Sequence, residues 1–323
     1  SLIPIYKYLK KSLQTNVYFF MGSLDDEIKD KFSHLKESEI ILLENIRYFK
    51  EESSDDENFS KKLASLGDIY INNAFSCSHR KQASIHNITK FVKKSFAGPL
   101  LKKEIDAINL VVKNKKEPVT CIIGGSKISS KINVITSLIE KVNNLIIVGA
   151  MANNFFIYKN YKVGKSLIEE NTKEIIKKIY EKANKNKCKI LIPEDCMVGS
   201  SFDGYGINKD LNAIKDNDII LDIGPKTILN IKDIIDQSNT VLWNGPAGYF
   251  ENENFMIGTM SIAENISKNT VKKSLISILG GGDTLAAINK SKNKLSFTHL
   301  STAGGAFLEY LEGKDLPGLS VLK

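Results

Sequence analysis

The sequence predicts an α/β fold of two Rossmann-like, three-layer domains with parallel sheets, joined by a helix. Three observations carry this expectation. Short apolar runs alternate with amphipathic helical stretches over most of the chain. The runs are apolar throughout, the pattern of strands buried on both faces. The length, 323 residues, exceeds one ordinary domain and suits two.

In chain order, the first expected strands are Val17–Met21, Ile40–Leu43 and Asp68–Ile71. Between the last two lies the one low-complexity stretch, Glu51–Glu57 (EESSDDE). It is expected to be a solvated loop, because like charges repel and resist packing. Gly98-Pro99 marks a boundary, and Leu100–Val112 reads as one helix ending in the charged stretch Lys113–Glu117. This helix is either a connector between two domains or a further helix of one large sheet. After Pro118 come strands Val119–Ile123, Leu145–Val148, Lys189–Ile192, Asp218–Leu221, Thr240–Trp243, Leu275–Leu279 and Ser296–Leu300. Ile132, Ile135, Leu138 and Ile139 recur at helical spacing, as do Ile175, Ile176 and Ile179.

Composition excludes several classes. Apolar residues make up 42% and charged residues 25%, the balance of a soluble globular protein. No apolar run approaches the ~18 residues that a membrane helix needs, so no membrane partner is expected. Lys7, Lys10 and Lys11 interrupt the start, so it does not read as a signal peptide. Cys77, Cys121, Cys188 and Cys196 form no C-x-x-C pair, which argues against a zinc knuckle and suggests a reducing cytoplasm. The net charge is +8, but the lysines are mixed with glutamates, as in Lys173–Lys189. No basic block interleaved with aromatics is present, so nucleic acid is not the expected partner. Nothing suggests more than a monomer.

Glycines follow the strands. They are Gly124-Gly125, Gly149, Gly224-Pro225, Asn244-Gly245-Pro246, Gly280-Gly281-Gly282 and Gly304-Gly305. In a parallel sheet these loops gather on one edge, where ligands of open α/β sheets bind. Small residues let backbone N–H groups approach phosphate oxygens. A phosphate or nucleotide crevice is therefore expected. The Walker A pattern fails at Lys159, and G-x-G-x-x-G fails at Leu285.

Lys127 and Lys131 are placed on one side of a helix start, where they oppose the dipole and imply an anion partner; otherwise they are solvated. Asp283-Thr284 suit Mg²⁺ and phosphate contacts, or a helix N-cap. Glu251 suits a ribose hydroxyl, or is surface charge. Arg47 and Arg80 follow strands and suit a phosphate or carboxylate on a small substrate, although Arg47 could instead pair with Glu51. A Cys77–His79 nucleophile is disfavoured, since both sit on one loop with no orienting acid.

At these residues the sequence resembles the phosphoglycerate kinase family. The matching stretches are Leu42–Phe49 (LLENIRYF), Leu66–Phe75 (LGDIYINNAF), Ser78–Arg80 (SHR) and Ile122–Ile132 (IIGGSKISSKI). They continue with Val148–Phe156, Leu221–Thr227, Trp243–Glu251 (WNGPAGYFE), Gly280–Thr284 (GGGDT) and Ser301–Gly318. The resemblance implies residues 1–98 as a substrate domain, 99–117 as a connecting helix, 118–303 as a nucleotide domain and 304–323 as a returning segment. It implies a hinge and reversible phosphoryl transfer in glycolysis and gluconeogenesis. The implied small molecules are 3-phosphoglycerate, 1,3-bisphosphoglycerate and ATP/ADP with Mg²⁺. Arg47 and Arg80 would hold substrate, Lys127 the transferring phosphoryl group and Lys131 nucleotide phosphates. Glu251 would bind ribose, and Gly281, Gly282, Asp283 and Thr284 phosphates and Mg²⁺, with Asp283 the metal contact. Gly125, Gly149, Asn244 and Pro246 would complete the nucleotide site. The family's opening Arg-Val-Asp-x-Asn and His-x-Gly-Arg-Pro patterns do not occur, and Asn73 and Gln82 stand where Asp and His are usual. An N-terminal domain incomplete by about 60–80 residues, roughly two βαβ units, is the expectation. The alternative function is a nucleotide-binding fragment without turnover.

Overall fold

A computed structural model describes residues 1–24 and 26–322. The chain forms two compact units, one of residues 1–102 with 315–323 and one of residues 103–314. The helix Pro99–Val112 runs across the sequence boundary between them.

In the first unit, β1 (Val17–Phe20) pairs in parallel with β2 (Ile40–Leu43), and β3 (Ile69–Asn72) with β4 (Lys94–Ala97). These are two separate two-stranded sheets. Phe20, Leu24, Ile28, Phe59, Leu63 and Ile88 form the core beneath them. The expectation of strands buried on both faces fails here. Ile69 is 55% and Ile71 58% exposed, so among the described residues that face of β3 is left uncovered. β4 also escaped the sequence reading, since Lys94–Ala97 offers one buried residue in four.

The acidic stretch Glu51–Glu57 is not a solvated loop, for each inner carboxylate meets its own donors. Glu52 is buried and accepts from Ser84 N at 2.9 Å and Ser84 Oγ at 2.7 Å. Asp55 lies 2.8 Å from His86 Nδ1, and Asp56 caps the helix Glu57–Ala64 through Phe59 N. Satisfied hydrogen bonds outweigh like-charge repulsion at this range. Asn73 Oδ1 accepts from Leu100 N and Leu101 N at 2.7 and 3.3 Å, capping the first turn of Pro99–Val112. The segment 315–323 is tied to β3 and its loop: Gly318 N donates to Ser78 O, and Asn72 Nδ2 donates to Gly318 O.

In the second unit β5 (Val119–Ile123), β6 (Asn144–Ile147) and β7 (Lys189–Leu191) begin a parallel sheet. β8 (Asp195–Gly199), β9 (Ile207–Asp210) and β10 (Ile219–Ile223) form a separate antiparallel sheet. β11 (Thr240–Asn244), β12 (Ile276–Gly280) and β13 (His299–Ser301) complete the parallel one. Its order is β13-β12-β11-β5-β6-β7. β5 and β11 are fully buried, as their unbroken apolar runs require. Trp243, Ile122, Ile146, Ile231, Ile235 and Ile266 pack in one core beside them.

The run at Asp218 was expected in a parallel sheet. As β10 it instead pairs antiparallel with β8, which pairs with β9. The hairpin was missed because β9 (INKD) has no apolar run and β8 starts on a buried Asp195.

Candidate active site

The parallel sheet gathers the loops after β5, β6, β11, β12 and β13 on its C-terminal edge. Gly224 follows β10, so it belongs to the smaller sheet instead. The loops are interlocked by backbone bonds. Gly124 N donates to Asn244 O at 2.8 Å, Gly149 N to Ala247 O at 3.1 Å and Met151 N to Gly125 O at 2.9 Å. At Gly245, φ is +97°, and a Cβ there would sit 2.3 Å from Gly124 O. Only glycine tolerates both constraints.

Beneath this edge lies a cavity of about 350 Å³. Gly125, Gly149, Pro246, Glu251 and Asp283 line it, together with apolar Phe156, Leu167, Ile220 and Phe202. The volume falls in the range of small-molecule sites. Five of the expected nucleotide residues thus share one wall system. Asn244 and Lys131 are joined beside it, since Lys131 Nζ donates to Asn244 Oδ1. Burial pulls the Lys131 ammonium below its ordinary range, while Cys121 and Asp283 push it back up. Gly281 has φ +100° and packs against Asn244 and Thr284. Thr284 is buried, and its hydroxyl accepts from Gly245 N at 2.7 Å. It therefore braces the Gly245 loop. Gly282 and Asp283 are exposed at the start of the helix Gly282–Asn289.

Lys127 and Lys131 do not share a helical face. The helix begins at Ile132, so both lysines lie in the preceding loop. Lys127 is exposed, and the buried Ile128 anchors that loop from below. Among the described residues no group of three or more His, Cys, Asp or Glu is placed to hold a metal. Asp283 is an exposed carboxylate at this edge, a donor that fits Mg²⁺ carried mainly by phosphates.

In the first unit Arg47 and Arg80 are both exposed. Arg47 Nη2 donates to Cys77 Sγ at 3.4 Å, which joins its loop to the one carrying Arg80. The alternative Glu51 pair is not formed among the described residues. Cys77 faces Arg47, and His79 Nε2 accepts from Arg80 Nε at 3.4 Å, so the thiol and imidazole are not paired with each other.

Comparison with known proteins decides the family. The family profile described as phosphoglycerate kinase matches residues 1–314. The chain belongs to the phosphoglycerate kinase family. It is 44% identical to phosphoglycerate kinase of Wolbachia pipientis wMel over 325 residues, covering all of this chain and 81% of that protein. Identity to the Bartonella bacilliformis enzyme is 41%, with the same coverage. The solved phosphoglycerate kinase of Coxiella burnetii superposes with a TM-score of 0.90 at 36% identity, over 99% of this chain and 80% of that one.

Three carboxylates of this chain were not singled out in the sequence. Asp195 is buried and accepts from Lys226 N, Thr227 N and Thr227 Oγ1, capping the helix Pro225–Gln237. Glu169 accepts from Ser129 N at 3.0 Å. Asp222 lines the cavity and accepts from Ile223 N and Gly258 N at 2.8 and 2.7 Å. In the sequence Asp222 lies inside the family-like stretch Leu221–Thr227, but no spacing singled it out.

Burial pushes the Asp222 carboxyl up to about 7, against the two backbone donors that favour its charged form. The raised value sets the sign of a pH effect. The stabilising contribution is complete below the unfolded carboxylate value of about 3.9 and is lost as pH rises towards 7. Urea denaturation of wild type and Asp222→Asn at pH 5 and pH 8 checks this. Wild type is expected to lose about 1–3 kcal/mol more than the variant over that interval. An equal change in both proteins removes Asp222 from the titration.

Proposed function

We propose that this chain is an ATP-dependent phosphotransferase with a carboxyl group as acceptor. It would interconvert 1,3-bisphosphoglycerate and ADP with 3-phosphoglycerate and ATP. The observation that carries the reading is the convergence of Gly125, Gly149, Pro246, Glu251 and Asp283 on one cavity, with Lys131 beside it. Glycine loops bring backbone N–H groups to phosphate oxygens, and the lysine supplies charge. The apolar walls at Phe156, Leu167 and Phe202 suit a nucleobase.

In this reading residues 103–314 hold the nucleotide and the first unit holds the substrate. Arg47 and Arg80 bind its phosphate or carboxylate, as forked donors do. Lys127, exposed in the loop before the helix, stabilises charge on the transferring phosphoryl group. Glu251 accepts a ribose hydroxyl, and Gly281, Gly282 and Asp283 approach the phosphates. Mg²⁺, held by Asp283 and phosphate oxygens, would neutralise phosphate charge when bound. No covalent intermediate is needed, because phosphoryl transfer rests on positioning and electrostatics. Four free cysteines support a reducing, cytoplasmic setting, and the chain is read as a monomer.

Calorimetric titration with Mg-ADP tests the reading. Saturable one-site binding is expected, followed by turnover in an assay coupled to ATP formation from the acyl phosphate. No binding by a chain that circular dichroism shows to be folded overturns the nucleotide assignments. A second reading, binding without turnover, is favoured by the two separate two-stranded sheets of the first unit and its exposed Ile69 and Ile71. Binding without any coupled activity would select it.

A further inference from the structure

The loop 200–206 joins β8 to β9 and brings Phe202 to the cavity. Phe202 is 49% exposed, although its ring meets that of Tyr249 edge-on with centroids 5.1 Å apart. Tyr249 lines the same cavity. An aromatic side chain left half in water at a cavity wall offers apolar contact area that a flat ligand can bury.

The loop is tied across to the segment that follows Tyr249. Asn252 Nδ2 donates to Phe202 O at 2.8 Å and to Gly204 O at 3.3 Å. Asn254 Nδ2 donates to Gly204 O at 3.1 Å. Both ends of the loop rest on Phe255, which is fully buried: a Cβ at Gly199 or Gly206 would come within 2.9 or 3.0 Å of its ring. The support is fixed in turn. Tyr249 N donates to Leu221 O at 2.7 Å, and Lys290 Nζ donates to Phe250 O and Glu251 O at 3.0 and 3.2 Å. Asn252 Oδ1 accepts from Asn254 N at 3.0 Å and caps the short turn Glu253–Phe255. One segment therefore carries the cavity-lining Glu251 and sets where Phe202 stands.

We propose that Asn252 and Asn254 are positioning residues for a nucleobase, acting through Phe202. A ring contact is worth most when the ring is already in place, since ordering it on binding costs affinity. The two amides hold the backbone beneath Phe202 by the carbonyls of Phe202 and Gly204, without touching the ligand. The inference rests on the nucleotide reading above and adds to it that base recognition is held by this tether, separately from the phosphate loops.

The test titrates wild type and variants with Mg-ADP and with Mg-pyrophosphate, which has no base. Asn252→Ser keeps an oxygen for the cap but is too short to reach Phe202 O. It is expected to weaken Mg-ADP about three- to tenfold, the range for a hydrogen bond to a neutral group. Phe202→Ala is expected to weaken Mg-ADP about five- to fiftyfold, the range for a base stacked on an aromatic ring. Mg-pyrophosphate is expected to bind all variants as it binds wild type. In the Phe202→Ala background Asn252→Ser is expected to add nothing, because the tether then has no ring to place. Equal losses for both probes, or an undiminished Asn252→Ser effect without Phe202, overturn the inference and leave the nucleotide reading standing. Unchanged Mg-ADP affinity in Asn252→Ser and in Asn254→Ala does the same. Wild type that binds Mg-pyrophosphate as tightly as Mg-ADP removes the base contact and the inference with it, while the phosphate loops stand. Wild type that is folded and binds neither probe removes both. If Asn252→Ser fails to fold, Asn254→Ala, which leaves the cap in place, decides on the same criteria.

Discussion

Lys131→Ala is expected to weaken Mg-ADP binding by about 10- to 100-fold, the range for removing a hydrogen bond to a charged group. The argument rests on what the ammonium touches. Its Nζ is bonded to Asn244 Oδ1, and Asn244 is itself buried at the end of β11. Asn244 in turn lies against Gly281, whose loop leads to Asp283 at the cavity. Lys131 is thus a cation held in a fixed place by a neutral partner, with its charge left over for a ligand. Burial already disfavours that charge, and the nearby Asp283 only partly offsets the loss. On the nucleotide reading, an anionic phosphate would supply what is missing. Calorimetry on the variant, with circular dichroism to confirm folding, reads the effect. Affinity within threefold of wild type would mean that the ammonium serves the loop and not the ligand. Lys131→Arg keeps the charge in a planar, bulkier form, so partial recovery is expected.

How far the sequence could be read depended on what surrounds each residue. The parallel sheet of the second unit was legible because its central strands β5 and β11 are buried on both faces and glycines follow them directly. β5, β6, β11 and β12 lie within one residue of their expected bounds, and the glycine loops other than the one at Gly224 do share a sheet edge. The acidic stretch at Glu51 misled because sequence shows like charges but not the distant donors. Ser84 and His86 lie some thirty positions away. The same limit hid Asp195, Asp222 and Glu169, whose partners are backbone N–H groups that no side-chain pattern records. Lys127 and Lys131 were placed on a helix because their spacing fits one, yet the turn at 129–131 precedes it. Family resemblance pointed to the family where periodicity could offer only an anion site.

Gly245→Ala is the second substitution with a large expected effect, and it tests the architecture rather than the charge. The residue sits at φ +97°, where an L side chain is strained. Its new Cβ would also lie 2.3 Å from Gly124 O and 2.4 Å from Gly124 C. These are backbone atoms of the neighbouring strand-end loop, so no side-chain rotation relieves the contact. Either β5 and β11 separate at their ends or the Gly245 loop moves out. Moving out would break the bonds from Gly245 N to Thr284 Oγ1 and from Trp243 Nε1 to Gly245 O, each 2.7 Å. Strain and overpacking together are expected to cost about 3–5 kcal/mol. Pro246, next in the chain, lines the cavity. Mg-ADP binding is therefore expected to be lost even where the chain still folds. Chemical denaturation measures the stability change and calorimetry the binding. A variant of wild-type stability that binds Mg-ADP normally would show that the two loops can part without consequence. The interlocked glycines would then be packing only, and the cavity would owe its shape to the apolar walls.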